Sequence, residues 1–335
     1  VITVSHRRPA AEWSPHQLPY QLLEIAMPRF VVTGAGSTGS ATARLLAEQG
    51  ESVRLVTRSG SGPEHPGIER VAADVTDPDR LTALIEDAEA LINCAAPPYD
   101  RWKQEFPPLA EALLTAAERT GARYVMLGNL YGYGPLDGPV TEQRPPAPST
   151  VKGEVRARMW ADALAAHRAG RARVTEVRAG SYFGPGAQSL FLILAGRQLV
   201  TGEPARYYAD LDAPHSWAYP ADVARTLVAA VRSEESWGLP WHVPAFATLS
   251  ARALGDALAA AAGAPAARLS AMDDRELAEL ALKFPVLGAV AEMRYLTHQA
   301  TVLDSTHTER TFGLRATPLA EVLAATVNDL SADRP

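Results

Sequence analysis

Phe30-Val31-Val32-Thr33-Gly34-Ala35-Gly36-Ser37-Thr38-Gly39 is the stretch on which the reading of this chain turns. An aromatic and three β-branched residues read as a strand, and residues 38–49 read as a helix with small residues on its sheet-facing side. Three glycines spaced G-x-G-x-x-G lie at the junction. The first permits a tight turn, the second leaves room for a pyrophosphate against the backbone, and the third lets helix and strand pack closely. The helix N-terminus supplies free N–H groups and positive potential for an anion. A lone glycine motif is weak evidence, but the strand before it and the helix behind it give it weight. Gly34, Gly36, Ser37, Thr38 and Gly39 are therefore expected to hold a dinucleotide.

Outward from this loop, short β-branched runs alternate with helical stretches. Residues 53–56, 68–72, 90–94, 124–127 and 174–177 read as strands, and 78–85, 109–119 and 151–169 as helices. Such alternation implies a parallel sheet covered on both faces, a Rossmann-type doubly wound α/β fold. Residues 27–180, with a returning segment at about 215–235, are expected to form the dinucleotide-binding domain. Residues 181–214 and 236–335 are expected to form a smaller C-terminal substrate lobe. Residues 1–26 carry three prolines and read as an extension of unreadable role, with Met27 the expected start of the domain. They lack the basic, apolar, small-residue order of a secretory signal.

Composition narrows the classes of function. A chain of 335 residues with formal net charge −6 shows no basic face for nucleic acid. No apolar run approaches the ~20 residues that span a bilayer. One cysteine, Cys94, excludes an internal disulfide and points to a reducing, cytoplasmic setting, with the thiol a small buried hydrophobe. His65, His167, His215, His242, His298 and His307 are scattered, and neither H-E-x-x-H nor G-x-S-x-G occurs, so neither a metal site nor a hydrolase elbow is expected. A homodimer is compatible with the sequence, which otherwise leaves the oligomeric state open.

The second strand ends in Thr57-Arg58-Ser59, where an NAD site usually has a carboxylate. A guanidinium and a hydroxyl suit a 2′-phosphate instead, so Arg58 and Ser59 favour NADP(H).

Six landmarks now stand in order: the 33–39 loop, Ala73-Asp74-Val75-Thr76-Asp77, Asn93-Cys94-Ala95-Ala96, Tyr131-Gly132, Tyr182-Phe183-Gly184-Pro185-Gly186 and Tyr219-Pro220-Ala221-Asp222-Val223-Ala224. In these the chain resembles the extended short-chain dehydrogenase/reductase family of the NAD-dependent epimerase/dehydratase type. The resemblance implies that Asp74 and Val75 lie at the adenine, that Ala95 and Ala96 line the adenosine pocket, and that residues 182–184 pass near the nicotinamide. It also implies a Tyr-x-x-x-Lys pair on the helix after strand five. That turn here is Lys152-Gly153-Glu154-Val155-Arg156, and the chain is read as lacking the motif. Leu127-Gly128-Asn129 replaces the family's serine or threonine, and Arg156 remains a candidate for the ribose.

Three readings stay open: an NADP(H)-dependent reductase with a relocated proton donor, a non-redox isomerase, cyclase or dehydratase, and an NADP(H)-sensing regulatory protein. For the first, Lys152, Tyr131, Tyr182 and His215 are the candidate donors, with Tyr133 beside them. Tyr99, Trp102, Asn129, Tyr133 and Trp217 are expected to line an aromatic substrate cleft. Its composition suggests a small cyclic or polyketide-like metabolite.

Overall fold

The computed structural model describes residues 29–332, so the extension 1–26 and Met27 lie outside the described residues. The first half runs β1 (Phe30–Thr33), α1 (Ser37–Glu48), β2 (Val53–Thr57), β3 (Ile68–Ala72), α2 (Pro78–Ile85), β4 (Ala90–Asn93), α3 (Trp102–Thr120), β5 (Arg123–Asn129), α4 (Val151–Arg168) and β6 (Val174–Ala179). The second runs β7 (Ser181–Tyr182), α5 (Arg197–Thr201), β8 (Ala205–Tyr207), β9 (Pro214–Ala218), α6 (Pro220–Arg232), β10 (Pro240–His242), β11 (Ala247–Ser250), α7 (Ala251–Ala261), β12 (Leu269–Ala271) and α8 (Asp274–Ala281). It closes with α9 (Tyr295–His298), α10 (Thr306–Phe312) and α11 (Leu319–Ser331).

Seven strands form one sheet in the order β10-β6-β5-β4-β1-β2-β3, and every pairing within it is parallel. This is the doubly wound order, with the sense of progression reversing between β1 and β4. One face buries Val31, Leu91, Tyr124 and Met126 against α2, α3 and α4. The other buries Val32, Ile92 and Val125 against Leu46 of α1 and Val223, Leu227 and Val231 of α6. Fully covered strands need no polar alternation, which is why β1 and β4 are buried along their whole length. Residues after 180 add a further core around Phe183, Phe191, Trp217, Leu254 and Val322. β10 departs from the expected lobe: it pairs with β6 and extends the main sheet.

The helix after β4 is longer than its sequence suggests. The expected helix begins at residue 109, yet α3 starts at Trp102 and runs through Pro107 and Pro108. Trp102, Phe106, Leu109 and Leu113 recur at helical spacing and are buried, and that packing outweighs the backbone bonds the prolines cannot make.

A buried polar network fixes the edge of the sheet. Tyr133 Oη and His242 Nε2 lie 2.7 Å apart, and the Asp304 carbonyl oxygen lies 2.9 Å from His242 Nδ1. Glu142 accepts from Thr308 Oγ1 and from the His242 N–H, and Arg178 pairs with Glu176. Burial lowers the His242 pKa to about 4, against the pull of Glu142, and burial lowers that of His215 likewise to about 4. Both imidazoles are neutral in the fold, while the unfolded chain takes up protons below about pH 6.5. Stability is therefore full above that pH and falls as pH drops toward 4, by about 2–3 kcal/mol per histidine. Urea unfolding at pH 7 and pH 5 checks this, and His242→Asn should flatten the dependence. A pH-independent stability across this range would contradict the buried neutral assignment.

Candidate active site

The glycine loop is built as a cradle. Gly34 has φ +85°, and a Cβ there would lie 2.7 Å from the Ala95 backbone. A Cβ on Gly39 would lie 1.9 Å from the Gly34 carbonyl oxygen, so helix and strand touch at that point. Gly36 differs: its φ is −67°, and no atom lies within 4 Å of where its Cβ would be. The protein has no packing use for that missing side chain, and the open space faces the N-terminus of α1. These features fit a pyrophosphate, with Ser37 and Thr38 in the first turn. Arg58 and Ser59 are exposed at the end of β2. Asp74 accepts from Thr76 N–H and Oγ1, which hold its carboxyl below the usual range, with the Arg58 charge adding to the effect. Val75 is buried beneath it. Cys94 lies under the loop, its thiol pushed up to about 12 by burial, which suits packing and not reactivity.

Beyond the ends of β4, β5 and β6 a cluster of phenols meets two cations. Tyr99 and Tyr131 share a hydrogen bond between their hydroxyls at 3.2 Å. Burial raises the Tyr131 pKa, while that bond and the Arg156 charge work against the rise. Burial lifts Tyr182 to about 12, opposed by a bond to Thr38 and by Arg156. Both phenols thus carry their protons at neutral pH. The Tyr131 turn is held from three sides. Its N–H donates to Asn129 Oδ1, Tyr295 Oη donates to its carbonyl at 3.3 Å, and Gly153 brings α4 close enough that a Cβ would lie 2.7 Å from that same oxygen. Asn129 is thus a turn-former here.

Lys152 is not free. Its Nζ lies 2.6 Å from Glu292 Oε2, 3.3 Å from the Ala289 carbonyl and 4.8 Å from the centroid of the Tyr99 ring. Its backbone N–H donates to Glu292 Oε1. The residue is 6 % exposed. Burial acts to raise the Glu292 carboxyl, but the Lys152 bonds hold it below its usual range. Glu292 and Tyr295, from the segment that follows α8, are the members of the cluster that the sequence did not disclose. They sit 140 and 164 residues from Lys152 and Tyr131, in a stretch with no motif of its own.

Other candidates are placed elsewhere. His215 lies on β9, 3 % exposed, against the Thr297 backbone, and its charged neighbours are Asp210 and His298. Trp217, expected on the substrate wall, is packed among Phe183 and Phe191, and its indole N–H donates to the Leu249 carbonyl. Tyr133 is taken up by the His242 network, and Trp102 lies in the core beneath Tyr99 and Tyr131. Aromatic size made each as good a core residue as a wall. One Tyr-x-x-x-Lys spacing does occur, Tyr99-Asp100-Arg101-Trp102-Lys103, contrary to the expectation that the chain has none. It follows β4 instead of β5, and Lys103 is exposed while Tyr99 is half-buried, so it does not rebuild the family's pair. No group of three or more metal-ligating side chains, and no helix long and apolar enough to cross a membrane, occurs among the described residues.

A family model described as NAD dependent epimerase/dehydratase family matches residues 30–240. The chain belongs to the NAD dependent epimerase/dehydratase family. No curated protein matches it at a significant level. Among solved structures it is similar to a dTDP-glucose 4,6-dehydratase from Streptomyces venezuelae with NAD bound, at 23 % identity and TM-score 0.70, over 90 % of this chain and 96 % of that one. It is also similar to a UDP-glucuronic acid 4-epimerase from Bacillus cereus in complex with UDP-glucuronic acid and NAD, at 16 % identity and TM-score 0.70, over 90 % and 98 %. An epimerase from Methanothermobacter thermautotrophicus reaches 18 % and 0.73, over 92 % and 94 %. At these identities the likeness speaks to the epimerase/dehydratase fold.

Proposed function

We propose that the protein is an NADP(H)-dependent oxidoreductase that reduces a small, cyclic or polyketide-like metabolite, with Tyr131 as the proton donor. The observation that carries this reading is the hydrogen-bonded Tyr99–Tyr131 pair, a protonated phenol on which the Arg156 charge acts. Residues 29–180 with the 215–235 return and β10 would bind the nucleotide, and residues 181–214 and 243–332 would shape the substrate side. Gly34, Gly36, Ser37, Thr38 and Gly39 would take the pyrophosphate, Asp74, Val75, Ala95 and Ala96 the adenosine, and Arg58 with Ser59 a 2′-phosphate. Bound there, the cofactor supplies two-electron reducing power. Tyr131 Oη then delivers the proton, Tyr99 Oη orients it and can pass the proton on, and Tyr182 closes the wall beside Thr38. Lys152, committed to Glu292, tethers the 285–298 segment over the site and holds Tyr99 under its ammonium. The relatives solved with NAD do not weigh against NADP(H), because the choice rests on Arg58 at the end of β2.

Calorimetry tests the cofactor. NADPH should bind more tightly than NADH, and Arg58→Ala should weaken NADPH by roughly 1.5–3 kcal/mol with NADH nearly unchanged. Equal affinities in the parent protein would remove the NADP(H) assignment. Loss of NADPH absorbance with cyclic enones then separates a reductase from a non-redox enzyme or a sensor.

A further inference from the structure

Three cationic side chains are buried among the described residues: Lys152, Arg156 and Arg178. Two have a carboxylate at ion-pair distance, Lys152 with Glu292 at 2.6 Å and Arg178 with Glu176 at 2.7 Å. Arg156, 9 % exposed, has none. Its guanidinium lies 4.8 Å from the Trp102 ring centroid and 4.3 Å from that of Phe106, and Nη1 donates to the Leu127 carbonyl at 3.3 Å. Nε is buried with no partner, and so is the neighbouring Tyr124 hydroxyl, on which the Arg156 charge acts. Glu176 also acts on Arg156, but its carboxylate is already bound to Arg178.

A guanidinium cannot shed its charge as a lysine can, and a buried ion without a counter-ion is costly. Two aromatic faces offset part of that cost but satisfy no N–H. Among the phenols on which this charge acts, Tyr131 and Tyr182 border the proposed reaction site. Neutral ribose hydroxyls would fill the empty donor and leave the charge uncompensated. A carboxylate would do both, in the planar two-bond geometry that arginine favours.

We propose that Arg156 is the anion anchor of the active site and that the substrate carries a carboxylate. This rests on the reading of the site as that of a small-molecule reductase and adds the chemical class of its substrate. Tyr99, Tyr131 and Tyr182 would enclose the ring of such an acid, and Arg156 would hold its carboxylate toward the end of β5.

Benzoate and benzamide, equal in shape and different in charge, are the probes. Calorimetric titrations are run on the protein with and without saturating NADPH. Benzoate should bind at least tenfold more tightly than benzamide, Arg156→Gln should abolish the difference, and Arg156→Lys should keep part of it. Equal binding of the two probes to the wild type, or discrimination that survives in Arg156→Gln, overturns the proposal. Should Arg156→Gln unfold, the wild-type contrast and its reduction in Arg156→Lys decide. Discrimination in a protein that ignores NADPH would keep the anchor and remove the reductase reading. NADPH binding without discrimination would do the reverse.

Discussion

Gly36→Val should abolish nucleotide binding and leave the fold intact. Gly36 sits at φ −67°, ψ −177°, a conformation open to any residue, and nothing lies within 4 Å of an added Cβ. The expected cost to the free protein is the weaker helix cap, roughly 1 kcal/mol. The cost to the complex is exclusion of the pyrophosphate from the space it must enter. Gly39→Val is the contrasting variant, because its Cβ would meet the Gly34 carbonyl oxygen at 1.9 Å and must force helix and strand apart. Calorimetry with NADPH and circular dichroism distinguish them: the first variant is folded and empty, the second loses structure. If Gly36→Val still binds NADPH at full affinity, the cradle has been placed wrongly.

Tyr131→Phe should lower turnover by ~100-fold or more while nucleotide affinity changes little, as loss of a general acid does. The ring and its packing on Trp102 remain, and only the hydroxyl that meets Tyr99 is removed. Tyr99→Phe should cost less, since it removes an orienting partner and leaves the donor. Lys152→Met separates this from the alternative in which the ammonium acts. With its charge committed to Glu292, Lys152 is expected to show its loss first in the melting temperature, as the 285–298 segment loses its tether. A fully active Tyr131→Phe beside a stable but dead Lys152→Met would transfer the proton to Lys152.

The path from sequence to site was uneven for physical reasons. Residues 30–39 disclosed themselves because strand, glycine turn and helix are each encoded within a few neighbouring residues. The order of elements followed from local periodicity, and the doubly wound sheet from the handedness of its crossovers. The helix after β4 begins at Trp102 and not at residue 109, because the buried stripe from Trp102 to Leu113 carries it through Pro107 and Pro108 against their local propensity. Tyr133 and Trp217 depart from expectation for another reason. An aromatic residue near a cleft has the same composition whether it faces ligand or core, and only the partners His242 and the Leu249 carbonyl decide.

By itself, then, the sequence determined the fold class, the strand–glycine turn–helix unit at residues 30–39 and the absence of the family's tyrosine from the helix after β5. Each of these is a matter of residue type at short spacing. Which charges are satisfied was decided only by tertiary structure. Lys152 and Arg156 stand four residues apart on one helix, yet Lys152 meets Glu292 and Arg156 meets only two rings and a carbonyl. The counter-ion comes from a segment about 140 residues away, and a charge pair formed by burial leaves no periodic trace in the chain that makes it.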